Sequence, residues 1–266
     1  MYSSRVDTEP GGDVHACVVC HTSMSAFGET TILARHHVRY YRCPDCGLLT
    51  LPEPTWLDEA YENPIYAGDE GLLRRSRIAA HFTSAIIRSE RLSSGSFLDW
   101  AGGYGTFTRM MRDKGFDYYT ADPYTENVLA PGYEGDETAT YAMVTAFEVL
   151  EHLPDPIRQL HGIAQQTDLM LFSTELQPSP PPDPGQWWYY QEESGQHVTF
   201  HTRESLRRLA QHLGFRLTTN GTQFHLFHRR SLAPTTRLLL SPTLVRGGRG
   251  LVRAARDVRG RLNAAQ

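Results

Sequence analysis

The sequence has no cysteine outside two closely spaced pairs and no long apolar run. Of its 266 residues, 40% are hydrophobic and four are cysteine. No apolar stretch approaches the roughly 20 residues that a membrane-spanning helix needs, so a transmembrane protein is not expected. The first ten residues are polar and lack the apolar core of a signal peptide. We therefore expect a cytoplasmic protein.

Charge is distributed unevenly along the chain. Residues 231–266 contain seven arginines and one aspartate, a net charge of +6, whereas the other 230 residues contain 19 basic and 29 acidic side chains, a net charge of −10. Nucleic-acid phosphates attract clustered lysine and arginine, so nucleic acid is not the expected partner of this acidic body. The basic tail can be a solvated, disordered segment. It can also make peripheral contact with an anionic membrane, or contact nucleic acid.

The cysteines form two C-x-x-C pairs, a spacing that is typical of metal sites. They are Cys17, Cys20, Cys43 and Cys46. In a reducing compartment such pairs favour a metal over disulfides, and four thiolates fill the tetrahedral shell of Zn²⁺. Because a filled shell leaves no open position, we expect this zinc to be structural. The alternatives are a knuckle that has lost its metal and a redox-active pair.

Strand-like and helix-like segments alternate from Ser96 onward. This alternation predicts an α/β fold with a Rossmann-like, mostly parallel sheet. Near the end, Asn220-Gly221 separates two strand-like runs and predicts a terminal antiparallel hairpin. The expected organisation is a small N-terminal zinc knuckle at 1–52, a helical connector at 53–95, the α/β domain at 96–230 and the basic tail at 231–266.

A glycine turn follows the first strand of the α/β domain, in the segment Asp99-Trp-Ala-Gly-Gly-Tyr-Gly105. Such a turn lets the backbone approach a ligand at the carboxyl edge of a sheet. A dinucleotide site needs a small residue at the position of Thr108, and an acid at Asp99 would repel a pyrophosphate. An acid there suits a cationic or amine-bearing ligand. Asp122, at the end of the next strand, is placed to accept hydrogen bonds from ribose hydroxyls.

These features resemble the class I S-adenosylmethionine-dependent methyltransferases. In that family the first-strand acid and the glycine turn hold the methionine portion of the cofactor, and the second-strand acid holds the ribose. The segment Ala146-Phe-Glu-Val-Leu-Glu-His-Leu-Pro-Asp-Pro156 also resembles the family's fourth-strand motif, and the similarity covers roughly residues 96–230. The usual first glycine is replaced by alanine. The resemblance implies that S-adenosylmethionine is bound by Asp99, Ala101, Gly102, Gly103, Gly105, Asp122, Phe147 and Glu148.

Methyl transfer needs a base where the acceptor must lose a proton, and histidine is the natural base near neutral pH. His152 directly follows the fourth strand, and His197 precedes a helix capped by Thr202. The order of cysteine module and α/β domain is similar to that of the zinc-binding C-methyltransferases of deoxysugar biosynthesis. There a His-Glu-His segment supplies the base, and the register aligns Gln196 with its glutamate. The resemblance thus implies His197 as the catalytic base, with His152 as the second candidate.

A proline-rich segment leads into Trp187-Trp-Tyr-Tyr190 and favours a lid or a substrate wall, with a plain connecting loop as the alternative. Its aromatic rings can stack on sugar faces. Tyr61 and Tyr66 are further wall candidates. Glu148 and Glu151 are candidates for hydrogen bonds to substrate or cofactor.

Taken together, these patterns predict a methyltransferase that acts on a small molecule. The expected acceptor is a sugar, a glycan or a natural-product precursor, as in polysaccharide biosynthesis. One alternative is a zinc-ribbon RNA methyltransferase, but Arg35, Arg39 and Arg42 are the only arginines or lysines within residues 14–52, which hold the cysteine turns. The other alternative is a non-catalytic zinc adaptor, which the retained Asp99 and Asp122 argue against.

Overall fold

The computed structural model describes residues 15–62, 71–136 and 138–242. The strands are β1 (Ser25–Ile32), β2 (His36–Arg42), β3 (Leu49–Thr50), β4 (Ser96–Trp100), β5 (Asp117–Ala121), β6 (Met143–Phe147), β7 (Leu169–Ser173), β8 (Thr199–Phe200), β9 (Arg216–Thr219) and β10 (Phe224–His228). The helices are α1 (Leu57–Ala60), α2 (Leu72–Ser89), α3 (Thr106–Asp113), α4 (Pro156–Gln165), α5 (Arg203–His212) and α6 (Pro234–Leu239).

A six-stranded sheet with the order β5-β4-β6-β7-β10-β9 forms the centre of the molecule. The first four of these strands are parallel to one another, and β10 is antiparallel to both β7 and β9. Every residue of β7 is buried, as expected of a strand covered on both faces. The mostly parallel sheet and its closing hairpin agree with the sequence prediction.

Helices cover both faces of this sheet. Buried side chains of α2 and α3 pack on one face with Phe97 and Leu171, and those of α4 and α5 pack on the other with Leu98 and Phe172. Neighbouring residues of a strand point to opposite faces, which explains why β4 and β7 each contribute to both clusters. Parallel strands place their carboxyl ends at one edge, and the glycine turn lies there.

Beyond β5, the sheet edge is extended by a single parallel bridge and not by a full strand. Thr120 pairs with Glu134 at this bridge. Two backbone hydrogen bonds surround it, from Thr120 N to Tyr133 O (2.9 Å) and from Gly135 N to Thr120 O (2.7 Å). The segment after Asp122 is therefore held against the sheet edge at a few points only.

A second sheet joins the cysteine module to the α/β domain. Its order is β1-β2-β3-β8, so its last strand comes from the far end of the chain. Leu49 pairs with Phe200 and Thr50 with Thr199. The backbone N–H of Leu51 also donates to Val198 O at 2.9 Å. The module is thus continuous with the segment that follows His197.

The predicted connector contains the short helix α1 and the long helix α2. Tyr66 lies outside the described residues, as do positions 243–266 of the basic tail. The described part of that tail holds α6, which packs against α2. No helix in the described ranges is both long and apolar enough to cross a bilayer.

Candidate active site

Asp99 lies in β4 and is almost completely buried, with 2% of its surface exposed. The hydroxyl of Thr145, on the neighbouring strand β6, donates to its Oδ1 at 3.0 Å. Burial raises the pKa of the Asp99 carboxyl to about 8. A carboxylate held in such a place is stabilised by a cationic partner, so the site suits a ligand with an ammonium or sulfonium group.

The glycine turn leaves no room for a side chain at Gly102. A Cβ there would lie 2.6 Å from Asp99 Oδ2 and closer still to the Thr120 hydroxyl. The next residue, Gly103, donates its N–H to Asp122 Oδ2 at 2.9 Å. The structure therefore brings both predicted acids to the turn, one on each side.

Two further positions of the turn have backbone angles that favour glycine. Gly105 has φ +81° and immediately precedes α3. Ala101 has φ +56° although it carries a Cβ. An alanine in this left-handed region costs about 1–2 kcal/mol, so the replacement of the usual glycine is a local strain beside the ligand site.

A cavity of about 1360 Å³ runs from the glycine turn to the aromatic segment 187–190. Common ligand pockets measure about 300–1,000 Å³, so this one has room for a cofactor and an acceptor together. Phe147 forms part of its wall and packs on Phe107, with ring centroids 4.8 Å apart. Most of the predicted cofactor residues line the cavity, namely Asp99, Ala101, Gly102, Gly103, Asp122, Phe147 and Glu148.

Glu148 directly follows β6 and lines the cavity. Its backbone has φ +53°. The Ser173 hydroxyl donates to its Oε1 at 2.6 Å and accepts from its backbone N–H at 2.9 Å. Burial raises the pKa of Glu148 to about 7. The side chain is therefore fixed in place and is easily protonated near neutrality.

His152 and His197, predicted as alternative catalytic residues, lie side by side. Their ring centroids are 4.8 Å apart. His152 Nδ1 lies 3.0 Å from the backbone oxygen of Gln196, and His197 Nδ1 lies 2.7 Å from that of Tyr189. A carbonyl oxygen only accepts, so each Nδ1 carries the proton and each Nε2 keeps its lone pair. Burial lowers the pKa of both imidazoles, which keeps them neutral.

Glu151 lies beside the two histidines. It is fully buried, and its Oε1 accepts a 2.5 Å hydrogen bond from the Tyr189 hydroxyl. Its Oε2 has no hydrogen-bond partner within the described residues. One carboxylate oxygen of Glu151 and one ring nitrogen each of His152 and His197 lie within 4.8 Å of one another. Burial raises the pKa of Glu151 to about 7.

The aromatic segment forms a wall that is packed into the fold. Tyr189 and Tyr190 are each 1% exposed, and Tyr190 stacks near Tyr40 of β2 with ring centroids 5.1 Å apart. Trp188 is 70% exposed at the cavity. Tyr61 also lines the cavity and stacks on Tyr124. Only one of the four residues 187–190 is therefore free to contact a ligand with its whole ring.

The four cysteines converge away from this cavity, as free thiols. The Sγ atoms of Cys17 and Cys46 are 3.6 Å apart, and those of Cys20 and Cys43 are 3.3 Å apart. All four lie within 4.8 Å of one another. Zn–S bonds of about 2.3 Å in a tetrahedron separate sulfurs by about 3.8 Å, so the donor set fits a zinc ion.

Two residues of the site are not predicted by the sequence motifs. Thr145 supports Asp99 from the next strand, and Arg75 of α2 is the one lysine or arginine among the described residues that line the cavity. Both lie more than twenty residues from Asp99 in the sequence. Tyr189 was recognised as aromatic, but its hydroxyl bond to Glu151 has no signal in the sequence.

Comparison with known proteins gives one family. The model of a methyltransferase domain matches residues 73–220, more than half of the chain. Comparison with curated protein sequences finds no match.

Several solved structures are similar in fold. A methyltransferase of calicheamicin biosynthesis in its SAH-bound form, CalO1, is 16% identical over 57% of this chain and 54% of that chain, with a TM-score of 0.41. An O-methyltransferase family protein from Burkholderia thailandensis is 12% identical over 61% and 58%, with a TM-score of 0.47. The mitomycin 7-O-methyltransferase MmcR is 13% identical over 66% and 60%, with a TM-score of 0.46. The chain thus spans between half and two thirds of the length of these three structures.

The family assignment rests on the match to the domain model, which covers the glycine turn, the fourth-strand motif and both histidines. The chain therefore belongs to the methyltransferase-domain family.

Proposed function

We propose that the enzyme methylates a small molecule, a sugar or a related natural-product precursor, and that the acceptor loses its proton at the histidine pair. The observation behind this proposal is the single cavity that joins the glycine turn to His152 and His197. A donor at the turn and an acceptor at the histidines would share one cavity. Such an arrangement aligns the reacting groups.

S-adenosylmethionine is proposed to lie against the glycine turn. Asp99 is a buried carboxylate with no lysine or arginine paired to it among the described residues, and the amino group of the methionine portion would supply a cation. Asp122 accepts from Gly103 and, through Oδ1, from the N–H groups of Tyr124 and Thr125 at 2.8 and 2.9 Å. It is thereby oriented with lone pairs left for ribose hydroxyls. Gly102 allows the cofactor to approach the backbone closely.

His197 is proposed to act as the general base by accepting the acceptor's proton directly. Its Nε2 keeps a lone pair because Nδ1 donates to Tyr189 O. His152, held in the same way, is the second candidate. Trp188 presents an exposed ring at the cavity, and a flat aromatic face suits the apolar face of a sugar.

The cysteine module is proposed to bind one structural zinc ion. The sulfur distances fit a tetrahedral site, and Cys46 N donates to Cys43 Sγ at 3.4 Å, a bond that would stabilise a bound thiolate. Free thiols in this arrangement also suit a reducing compartment such as the cytoplasm. Metal analysis of the reduced protein should find about one zinc per chain, and its absence would refute this assignment.

Methyl transfer from labelled S-adenosylmethionine to a panel of sugars and glycosides tests the proposal. Asp99→Ala should abolish cofactor binding in calorimetry, whereas Asp113→Ala, an exposed acid on α3, should leave it unchanged. His197→Ala should keep cofactor binding and lose turnover. Unchanged affinity in Asp99→Ala would overturn the cofactor site. Label transferred to RNA and to no small molecule would overturn the acceptor class.

A further inference from the structure

The cluster beside the acceptor half of the cavity contains the donor atoms of a metal site. We propose that Glu151, His152 and His197 bind a divalent cation, which in turn binds two neighbouring hydroxyl groups of the acceptor. This inference rests on the proposed function and deepens it, because it assigns the acceptor as a vicinal diol. It is separate from the cysteine site, which shares none of these residues.

The distances suit a cation. The three donor atoms already lie within 4.8 Å of one another. Donors bound at about 2.1 Å are separated by about 3 Å when they are neighbours in the coordination shell and by about 4.2 Å when they are opposite. Side-chain movements of an ångström or less would therefore close the shell around an ion.

Both imidazoles are oriented as metal ligands are. Each Nδ1 donates to a backbone oxygen, that of Gln196 for His152 and that of Tyr189 for His197. Metal-binding histidines usually donate their second ring N–H to a carbonyl or a carboxylate, which fixes the ring and the tautomer. In both residues the nitrogen left over is Nε2, with its lone pair available.

The carboxylate supplies an independent observation. Glu151 is fully buried, and its Oε2 has no hydrogen-bond partner among the residues that the structure describes. A buried polar atom without a partner costs about 1–3 kcal/mol, and more if it is charged. A bound cation would remove this cost.

The second oxygen of Glu151 is held firmly. The Tyr189 hydroxyl accepts from the backbone N–H of Glu175 at 3.0 Å, so its own proton is directed to Glu151 Oε1 at 2.5 Å. This bond fixes the orientation of the carboxylate and leaves Oε2 as the ligand. Tyr189 is thus proposed as a positioning residue that acts through Glu151.

Two imidazoles and one carboxylate leave coordination positions open, unlike four thiolates. His152 and His197 line the cavity, so the open positions face the acceptor. Adjacent hydroxyls of a sugar can fill two of them. A bound cation would lower the pKa of a coordinated hydroxyl, and the hydroxyl proton would pass to a water molecule in the cavity. The hydroxyl oxygen would then form a bond to the methyl carbon as the sulfur–methyl bond breaks, and the electron pair of that bond would stay on sulfur.

The two roles of the histidines exclude each other. When a cation is bound, Nε2 of His197 is a ligand and does not accept the proton. When the site holds no cation, His197 accepts the proton directly, as in the simpler role above. Metal binding therefore decides between them.

Electron paramagnetic resonance titration with Mn²⁺ tests the inference on the full-length, cofactor-loaded protein with its cysteine site occupied. We expect one Mn²⁺ site per chain in the wild type. Glu151→Gln and His197→Gln should weaken it at least about 10-fold, the effect found for lost ligands and their supports. His161→Gln, an exposed imidazole on α4, is the matched control and should bind as the wild type does.

Tyr189→Phe provides a second test in which no ligand is removed. It should weaken Mn²⁺ binding while cofactor affinity stays unchanged. Absence of a Mn²⁺ site in the wild type, or equal binding by Glu151→Gln and His161→Gln, would overturn the inference. Full methyl transfer in chelator-treated protein would also overturn it and leave the proposed function intact. Mn²⁺ binding by a protein that does not bind S-adenosylmethionine would instead overturn the proposed function alone.

A diol panel tests the acceptor class. In the Mn²⁺-loaded wild type, methyl glycosides with two adjacent free hydroxyls should be methylated, and the corresponding deoxy sugars with one hydroxyl missing should lose at least about 10-fold in kcat/KM, about 1.4 kcal/mol. Equal rates for both would refute coordination of a diol.

Discussion

Replacement of Asp99 by asparagine should make the cofactor-free protein more stable while weakening the cofactor site. Asp99 is buried, and its pKa rises from 3.8 to about 8. Each unit of pKa difference corresponds to about 1.4 kcal/mol, so a fully ionised Asp99 lowers the free energy of unfolding by on the order of 5 kcal/mol. Asparagine has nearly the same shape and keeps an oxygen that can accept from Thr145.

The pH dependence of this effect has a definite sign. Because the folded-state pKa is the higher one, the folded protein holds the proton more tightly than the unfolded chain. Stability from this group is complete below pH 4 and is lost as pH rises towards 8. The advantage of Asp99→Asn should therefore be near zero at pH 4 and grow to about 2–5 kcal/mol at pH 8.

Urea denaturation without cofactor at pH 4, 6 and 8 measures this difference. Asp113→Asn, an exposed acid on α3, is the control and should not develop the same pH-dependent gain. Calorimetry with S-adenosylmethionine should find weaker binding for Asp99→Asn. If the variant is no more stable than the wild type at pH 8, the buried carboxylate does not lower the free energy of unfolding. The argument that Asp99 destabilises the fold in order to bind a ligand would then be refuted.

Two further substitutions test features of the same cavity. Ala101→Gly should raise the free energy of unfolding by about 0.5–1 kcal/mol, because relief of the left-handed strain exceeds the entropy that glycine adds to the unfolded chain; a destabilised variant in urea denaturation would contradict this. Trp188→Ala should raise the KM for the acceptor several-fold and leave cofactor affinity unchanged, as measured by steady-state kinetics and calorimetry. Unaltered acceptor kinetics would show that its exposed ring does not stack on the acceptor.

Local patterns were enough to predict the central sheet and the cofactor turn. The first four residues of β7 are all apolar, and the glycine turn contains its acid and its glycines within seven residues. Asp122 also follows from local reasoning, because it ends the strand next to β4. The carboxyl edge of a parallel sheet brings such residues together whatever the details of packing.

The second sheet and the cluster of histidines with Glu151 could not be predicted in this way, because they depend on contacts between distant parts of the chain. The pairing of β3 with β8 joins residues about 150 positions apart, and each strand has only two residues, too few for any periodicity. The histidines were found separately, by their positions after a strand and before a helix. Their contact, and the burial of Glu151 beside them, arise only when the aromatic segment folds over the sheet.

The β3–β8 pairing has a consequence for control of the enzyme. His197 lies two residues before β8, and β8 is hydrogen-bonded to the strand that directly follows the second cysteine pair. A metal ion bound by the four cysteines would lie outside the cavity. Through the β3–β8 pairing it would nevertheless keep His197 in position. Loss of this metal ion would then abolish methyl transfer, whereas the methyl donor would still bind.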